Sequence, residues 1–192
     1  MSHHPTTTKP AVFLDRDGTI IREVHYIRTP SQVEMLPGAA SAIALLQSKG
    51  FACIIVSNQA GVGRGIVTLQ DVRAVQTEVD RQLAESGVKL GGFYFCPEAP
   101  RTNDRNTVDH PDRKPGPGMI LRAAEEHGLD IARSWMVGDM LSDILAGRNA
   151  GVLKTIHVLT GHGHAQPDAS VQADHVAQDL AQAAAMIVRY SK

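Results

Sequence analysis

The sequence predicts an α/β fold in which a doubly wound parallel sheet is covered by helices on both faces. Short apolar runs alternate along the chain with segments in which apolar residues recur at helical spacing. Continuous apolar runs are typical of strands buried on both faces, and parallel strands need a crossover that is usually a helix. Several of these runs also end in polar or acidic residues, as strands do at the ligand-binding edge of such a sheet.

The first half of the chain supplies three predicted strands and two predicted helices. The apolar run 11–15 predicts the first strand and the run 51–58 predicts the second. Between them, residues 37–50 begin with proline and end with glycine, as helices often do. Residues 68–87 show helical spacing of apolar residues, and the aromatic run 91–96 predicts the third strand.

The second half continues the same alternation. It supplies helix 116–128, strand 134–139, helix 140–151, strand 154–160 and helix 179–190. The whole order is therefore that of a parallel sheet wound in both directions.

The chain shows no internal repeat and no linker, so we expect one domain over residues 11–192 behind a disordered tail, residues 1–10. Residues 97–115 are long for a connection without structure of its own. They are therefore predicted to be a functional loop insertion.

Composition excludes several classes of partner. The 192 residues carry 19 basic and 20 acidic side chains, a balance that does not favour nucleic acid or a membrane surface. No apolar run approaches the roughly 20 residues of a membrane span. Two cysteines, Cys53 and Cys96, make no disulfide framework. We expect a cytoplasmic monomer that binds a small molecule.

Polar side chains collect where the predicted strands end. Asp15 and Asp17 follow the first strand, Ser57 closes the second and Asp139 closes the fourth, while Lys114 precedes a helix. A lone aspartate at a strand end is usually a helix cap or a turn former. Because the carboxyl ends of parallel strands meet at one edge, groups from four parts of the chain predict a single site.

Two carboxylates two positions apart raise an electrostatic problem. Alternation places Asp15 and Asp17 on one side of an extended chain and Arg16 on the other. At roughly 4 Å, two such charges repel by about 1–4 kcal/mol at effective dielectrics from about 80 down to 20. A bound cation or a raised pKa is therefore expected.

This set of residues suits phosphoryl transfer. Asp15 is the candidate nucleophile, and Asp17 is placed to protonate the leaving oxygen and then to activate water. Mg²⁺, a hard cation, would be bound by Asp15, the backbone carbonyl of Asp17 and Asp139. Ser57 and Lys114 are candidates to stabilise the transferred group.

Four segments carry a family resemblance. In order along residues 12–150, "DRDGT", "SNQAG", "RKPGPGM" and "VGDMLSDILAG" resemble the four signature motifs of the haloacid dehalogenase superfamily of phosphatases. The resemblance implies a Rossmann-like core without a large cap domain, and it gives Asp15, Asp17, Ser57, Lys114 and Asp139 the roles described above. It also extends to the branch that acts on heptose 1,7-bisphosphate or on histidinol phosphate.

The same resemblance implies a set of residues that contact a sugar phosphate. They are Glu23, His25, Tyr26 and Arg113, and Asn58 and Arg64 are two further candidates beside them. For Arg64, a solvated loop arginine remains an equal alternative. Asp143, one turn after Asp139 on a predicted helix, is expected behind the metal ligands, whereas His162 reads as part of a solvated loop.

Two departures from the family pattern stand out. The loop before "RKP" usually carries a structural zinc in a Cys-x-His and Cys-x-Cys pattern, but the corresponding residues are Cys96, Glu98, His110 and Asp112. With one thiolate in place of three, zinc occupancy is not expected. Met140 stands where the branch often has lysine.

Other functions stay open on the sequence alone. A signalling receiver domain also combines a doubly wound sheet with clustered aspartates, a lysine and Mg²⁺. Such a domain lacks a proton shuttle like Asp17 and is shorter than 192 residues. A binding protein without activity is disfavoured because no catalytic group is missing. Histidinol phosphatases of this branch are commonly joined to a dehydratase domain, which favours the heptose substrate.

Overall fold

The computed structural model describes residues 8–102, 104 and 106–191. Within them, six parallel strands form one sheet in the order β3-β2-β1-β4-β5-β6. The strands are β1 Lys9–Leu14, β2 Ala52–Asn58, β3 Gly92–Cys96, β4 Leu129–Gly138, β5 Lys154–Val158 and β6 His175–Ala177. The order reverses between β1 and β4, which confirms the predicted doubly wound fold.

Seven helices surround the sheet in the described part of the chain. They are α1 Ala39–Ser48, α2 Ala60–Gly63, α3 Leu69–Glu85, α4 Gly118–His127, α5 Leu141–Ala150, α6 Pro167–Gln172 and α7 Leu180–Tyr190. Short 3-10 helices form at Pro30–Gln32 and Gly163–Ala165. The described connections contain no large cap domain, and none of these helices is long and apolar enough to cross a membrane.

Alternate residues of the strands face two separate cores. Val12 and Leu14 of β1 pack into a core with α1, α3 and α7, whereas Ala11 and Phe13 pack against α4 and α5. Because both faces are covered, the strands need apolar residues at successive positions, and this explains the continuous runs in the sequence. The polar strand ends are consequently left at the edge of the sheet.

The sheet extends further than the sequence predicts. The predicted disordered tail covers residues 1–10, but β1 already begins at Lys9, because Lys9 and Pro10 pair with the start of β4. Residues 1–7 of that prediction lie outside the described residues. Strand β6 and helix α6 were not predicted, since three strand residues and one short helix leave no readable periodicity.

A single serine supports the join between β1 and β4. The pairing register shifts between Pro10 and Val12, so Ala11 has no regular ladder partner on β4. The Ala11 N–H donates instead to Ser134 Oγ at 2.8 Å, and this hydroxyl donates to the Asp130 carbonyl at 2.5 Å. Ser134 is fully buried, so no water can take its place.

We expect Ser134→Ala to lower the free energy of unfolding by about 1–3 kcal/mol, because the buried Ala11 N–H loses its partner. Urea unfolding at equilibrium measures this change. Ser41→Ala is the matched control, because Ser41 is exposed and its hydroxyl donates only to the Gly38 carbonyl of its own turn. The control is expected to change stability by less than about 0.5 kcal/mol. Equal effects of the two substitutions would contradict the role given to Ser134.

Candidate active site

A cavity of about 240 Å³ opens at the carboxyl ends of β1 and β4, where the sheet order reverses. Ligands bind at this place in open α/β sheets. The lining includes every residue predicted to be catalytic, metal-binding or substrate-binding: Asp15, Asp17, Glu23, His25, Tyr26, Ser57, Asn58, Arg64, Arg113, Lys114 and Asp139. The structure therefore brings all of these residues together.

Lys114 lies at the centre of the site and is 4% exposed. Its ammonium group donates to Asp15 Oδ1 at 2.6 Å, to the Val56 carbonyl at 2.8 Å, and pairs with Asp143 Oδ1 at 2.6 Å. An ammonium group has three donors, so each of them is used. The lysine therefore joins the end of β1, the interior of β2 and helix α5.

Asp15 and Asp139 lie in an environment that disfavours their charged forms. Burial raises the pKa of Asp15 to about 7, although Lys114 acts in the opposite direction. Burial also raises the pKa of Asp139 to about 9, and the nearby charges of Asp15 and Asp143 add to the shift. The repulsion from Asp17 that the sequence led us to expect adds to the raised pKa of Asp15, although burial is the larger cause. A bound cation would favour the charged carboxylates.

The donor set at this point fits a hard divalent cation. Carboxylate oxygens of Asp15, Asp139 and Asp143 lie within 4.8 Å of one another. Asp139 Oδ1 is buried and has no hydrogen-bond partner, so it is available as a ligand. Both oxygens of Asp143 are used, by Lys114 and by the Met140 N–H at 2.9 Å. Asp143 is therefore better placed behind the ligands than among them.

Asp17 has partners that the sequence did not indicate. Arg16 was predicted to point away, but its Nη2 lies 3.0 Å from Asp17 Oδ2. The prediction was wrong because β1 ends at Leu14, so the alternation of a strand no longer applies at position 16. Arg16 is fully buried, and its guanidinium group lies 5.7 Å from the centroid of the Phe93 ring.

Gln59 links two of the predicted catalytic residues. Its amide nitrogen lies 2.9 Å from Asp17 Oδ2 and 2.9 Å from Ser57 Oγ. The Ser57 oxygen therefore accepts, and its own hydrogen remains available for a phosphoryl oxygen. Gln59 was not singled out in the sequence, although its place in "SNQAG", directly after the end of β2, was the available signal.

Asn58 has backbone partners that the sequence did not indicate. It lines the cavity, as expected of a substrate residue, and its Nδ2 donates to the Lys114 carbonyl at 3.0 Å while its Oδ1 accepts from the Lys114 N–H at 2.9 Å. A primary amide can pair with a peptide group in both directions, as a strand neighbour would. Asn58 therefore positions the backbone of Lys114.

The remaining predicted substrate residues form the mouth of the cavity. The His25 N–H donates to Glu23 Oε1, and the His25 ring meets the Tyr26 ring edge to face at a centroid distance of 4.4 Å. His25 has a φ of 60°, which is uncommon for a residue other than glycine. Arg64 also lines the cavity, and Arg113 Nη1 donates to the Glu98 carbonyl at 2.9 Å.

The residues at the family's zinc positions do not form a four-ligand cluster. Cys96 Sγ lies 3.8 Å from His110 Nδ1, and that nitrogen also accepts from the Asp112 N–H at 3.1 Å. The Asp112 carboxylate is paired with Arg122 at 2.7 Å. Among the described residues, the group of three or more side chains that could bind a metal ion is Asp15, Asp139 and Asp143. These contacts do not fit a tetrahedral zinc site.

The fold and the site define a class of enzyme, one that transfers a phosphoryl group at the carboxyl edge of a doubly wound sheet. Residues 112–183 match the model of a family described as HAD-hydrolase-like. A D-glycero-D-manno-heptose-1,7-bisphosphate 7-phosphatase of Thermosynechococcus vestitus is 39% identical over 184 residues, which cover 91% of this chain and 93% of the relative. The chain therefore belongs to the haloacid dehalogenase superfamily and is a phosphatase.

Two further proteins agree with this assignment. The D-glycero-beta-D-manno-heptose-1,7-bisphosphate 7-phosphatase of Escherichia coli K12 is 38% identical over 173 residues, with 90% of each chain covered. The crystal structure of the D,D-heptose 1,7-bisphosphate phosphatase from B. bronchiseptica, complexed with magnesium and phosphate, superimposes with a TM-score of 0.82. It is 28% identical and covers 94% of this chain and 99% of its own.

We expect the loop over residues 97–115 to fold without zinc, held in part by the pair between Arg122 and Asp112. Arg122→Ala should then lower the thermal midpoint by a few degrees, since this partly exposed pair lies beside the stack of Arg122 on Tyr94. Elemental analysis of protein purified without chelator provides the second measurement. Zinc near one equivalent, lost together with thermal stability in Cys96→Ala, would contradict the expectation.

Proposed function

We propose that this phosphatase removes the 7-phosphate of D-glycero-D-manno-heptose 1,7-bisphosphate. The observation that carries the proposal is the composition of the cavity at the carboxyl edge of the sheet. Its floor holds the Asp15 and Lys114 pair, while Arg64 and Arg113 stand in its wall. A substrate with phosphates at two ends fits this division, because one phosphate can react at the floor while arginine binds the other. The names of the curated relatives support the same substrate.

In the proposed reaction, Asp15 attacks phosphorus and the bond between phosphorus and the sugar oxygen breaks. Asp17 gives a proton to that oxygen, so the sugar leaves as an alcohol and the phosphoryl group stays on Asp15. Asp17 then takes a proton from water, which attacks the aspartyl phosphate and releases inorganic phosphate. Gln59, bonded to both Asp17 and Ser57, holds the proton donor beside the hydroxyl that binds a phosphoryl oxygen.

Mg²⁺ is the proposed cofactor. Asp15, Asp139 and the backbone carbonyl of Asp17 would hold it, since Asp139 Oδ1 has no other partner and the side chain of Asp17 lies outside the carboxylate cluster. When bound, Mg²⁺ would offset the crowded negative charge and polarise the phosphoryl oxygens. Lys114 orients Asp15 through its 2.6 Å contact with Oδ1. Zinc has no part in the proposal.

The receiver-domain alternative is set aside because the family assignment makes the chain a phosphatase. Histidinol phosphate stays the competing substrate. Heptose bisphosphate and histidinol phosphate would both place a phosphate at Asp15, and they differ in the part of the molecule that contacts the cavity wall. A cytoplasmic location, a monomeric state and the absence of nucleic acid partners remain predictions from the sequence.

We expect Asp15→Asn to lower turnover by several orders of magnitude, because the variant keeps the shape of the side chain and loses the charge that attacks phosphorus. Phosphate release at saturating substrate and Mg²⁺ measures the effect. Asp168→Asn, an exposed change on α6 outside the cavity, serves as the control and should match the wild type. Retention of more than roughly a tenth of wild-type turnover would remove Asp15 from the role of nucleophile.

The substrate proposal is tested by phosphate release from a panel that holds both anomers of the heptose bisphosphate, histidinol phosphate and a small aryl phosphate. The expected result is the highest kcat/KM for one heptose anomer. In Arg113→Ala, the KM for the heptose should rise by about 10-fold or more while the aryl phosphate changes little, since only the larger substrate reaches the wall. Preference for histidinol phosphate would refute the proposed substrate and leave the phosphatase assignment intact.

A further inference from the structure

The end of β5 and the loop after it contact Asp139 at two of its three acceptor atoms. The Asp139 backbone carbonyl lies 3.1 Å from His157 Nε2, and Asp139 Oδ2 accepts from the His162 N–H at 2.7 Å. The third acceptor, Oδ1, is buried without a hydrogen-bond partner. The pattern leaves one oxygen of Asp139 for a ligand and fixes the other two atoms.

The His157 ring is held at both nitrogens. A backbone carbonyl only accepts, so Nε2 must carry the hydrogen that is donated to Asp139. His157 Nδ1 then accepts from Ser170 Oγ of α6 at 2.9 Å. Since His157 is fully buried, the ring has no room to turn away from this arrangement. Strand β5 thereby fixes the peptide group of Asp139 through a single side chain.

Gly161 brings the loop against the carboxylate of Asp139. Its φ is +56°, and an added Cβ would lie 2.3 Å from Asp139 Oδ2 and 2.5 Å from Gly18 Cα. The hydroxyl of Thr160 donates to the Gly18 carbonyl at 2.5 Å, which ties the loop to the turn after β1. Only glycine fits at position 161 without displacing Asp139 or the β1 turn.

We propose that His157 and the segment Thr160–His162 are positioning residues for the cation site, because they bind the backbone carbonyl and Oδ2 of Asp139 and leave Oδ1 as its acceptor without a protein partner. The inference rests on the proposed function, in which Asp139 binds Mg²⁺. It deepens that function by assigning this task to β5, which carries none of the four motifs that marked the site in the sequence. If His157 only satisfied the buried carbonyl of Asp139, its replacement would change stability and leave the affinity for Mg²⁺ unchanged.

The test measures Mg²⁺ binding to the full chain by calorimetry without substrate, together with the thermal midpoint of each metal-free variant. His157→Leu removes the donor to Asp139 and is expected to weaken Mg²⁺ binding by about 10-fold to 100-fold. His157→Gln can place an amide nitrogen near the position of Nε2 and should restore affinity to within about 3-fold of the wild type. Wild-type affinity in folded His157→Leu would overturn the proposal, whatever happens to its thermal midpoint.

Gly161→Ala provides the second variant, because Gly161 lies in an exposed loop where a substitution leaves the core intact. We expect it to weaken Mg²⁺ binding by about 10-fold or more, since the methyl group displaces Asp139. Gly87→Ala is the matched control: its φ is +71°, so the backbone strain is similar, but an added Cβ there meets nothing within 4 Å. Equal Mg²⁺ affinity in the two glycine variants would overturn the proposal.

The wild-type protein separates failure of the inference from failure of the proposed function. If the wild type shows no Mg²⁺ binding, the proposed cofactor role fails and the positioning role fails with it. If the wild type binds Mg²⁺ and both variants bind equally well, only the positioning role fails. The choice between heptose and histidinol substrates affects neither result, because no substrate is present.

Discussion

The site depends on one electrostatic constraint, the burial of three carboxylates within reach of a single lysine. Asp15, Asp139 and Asp143 repel one another in a medium that also resists their charge, and Lys114 contacts two of them. One lysine can compensate for only part of the charge of three carboxylates, so the site favours the binding of a further cation. The same uncompensated negative charge suits the site to a phosphoryl group that binds together with a divalent metal. The buried carboxylates that destabilise the site electrostatically are therefore the same groups that suit it to bind a metal and a phosphoryl group.

The fold makes this arrangement possible because it delivers the charged groups from separate elements to one edge. Asp15 follows β1 and Asp139 follows β4, its neighbour in the sheet, while Asp143 lies in the first turn of α5. Lys114 arrives from the long loop before α4 and reaches the Val56 carbonyl. Rigid strands on both sides keep the groups from separating, even though their mutual repulsion favours separation. Apolar cores on both faces of the sheet supply the free energy that holds these strands together.

The sequence predicted the fold and the collection of polar strand ends at one edge because both follow from local patterns. Continuous apolar runs mark strands, and polar residues at their ends mark the edge where Asp15, Asp17 and Asp139 meet. It could not predict which side chains pair within that edge. The turn of Arg16 toward Asp17 depends on where β1 ends, and the pairing of Asn58 with the Lys114 backbone joins residues 56 positions apart. Strand β6 was missed for a similar reason, since three residues gain their structure from pairing with β5 and not from their own pattern.

The double hydrogen bond between Asn58 and the Lys114 backbone has an evolutionary consequence. It attaches the lysine to the end of β2, so the position of the ammonium group is set by the sheet and not by the preceding loop. Residues 97–113 can therefore change in length, composition or metal content while the charge beside Asp15 stays in place. Because the lysine is held independently of this loop, the loop residues that line the cavity can exchange substrate contacts by mutation without moving the lysine. In this chain, Cys96 is the one cysteine at this loop, and the lysine lies 2.6 Å from Asp15 Oδ1.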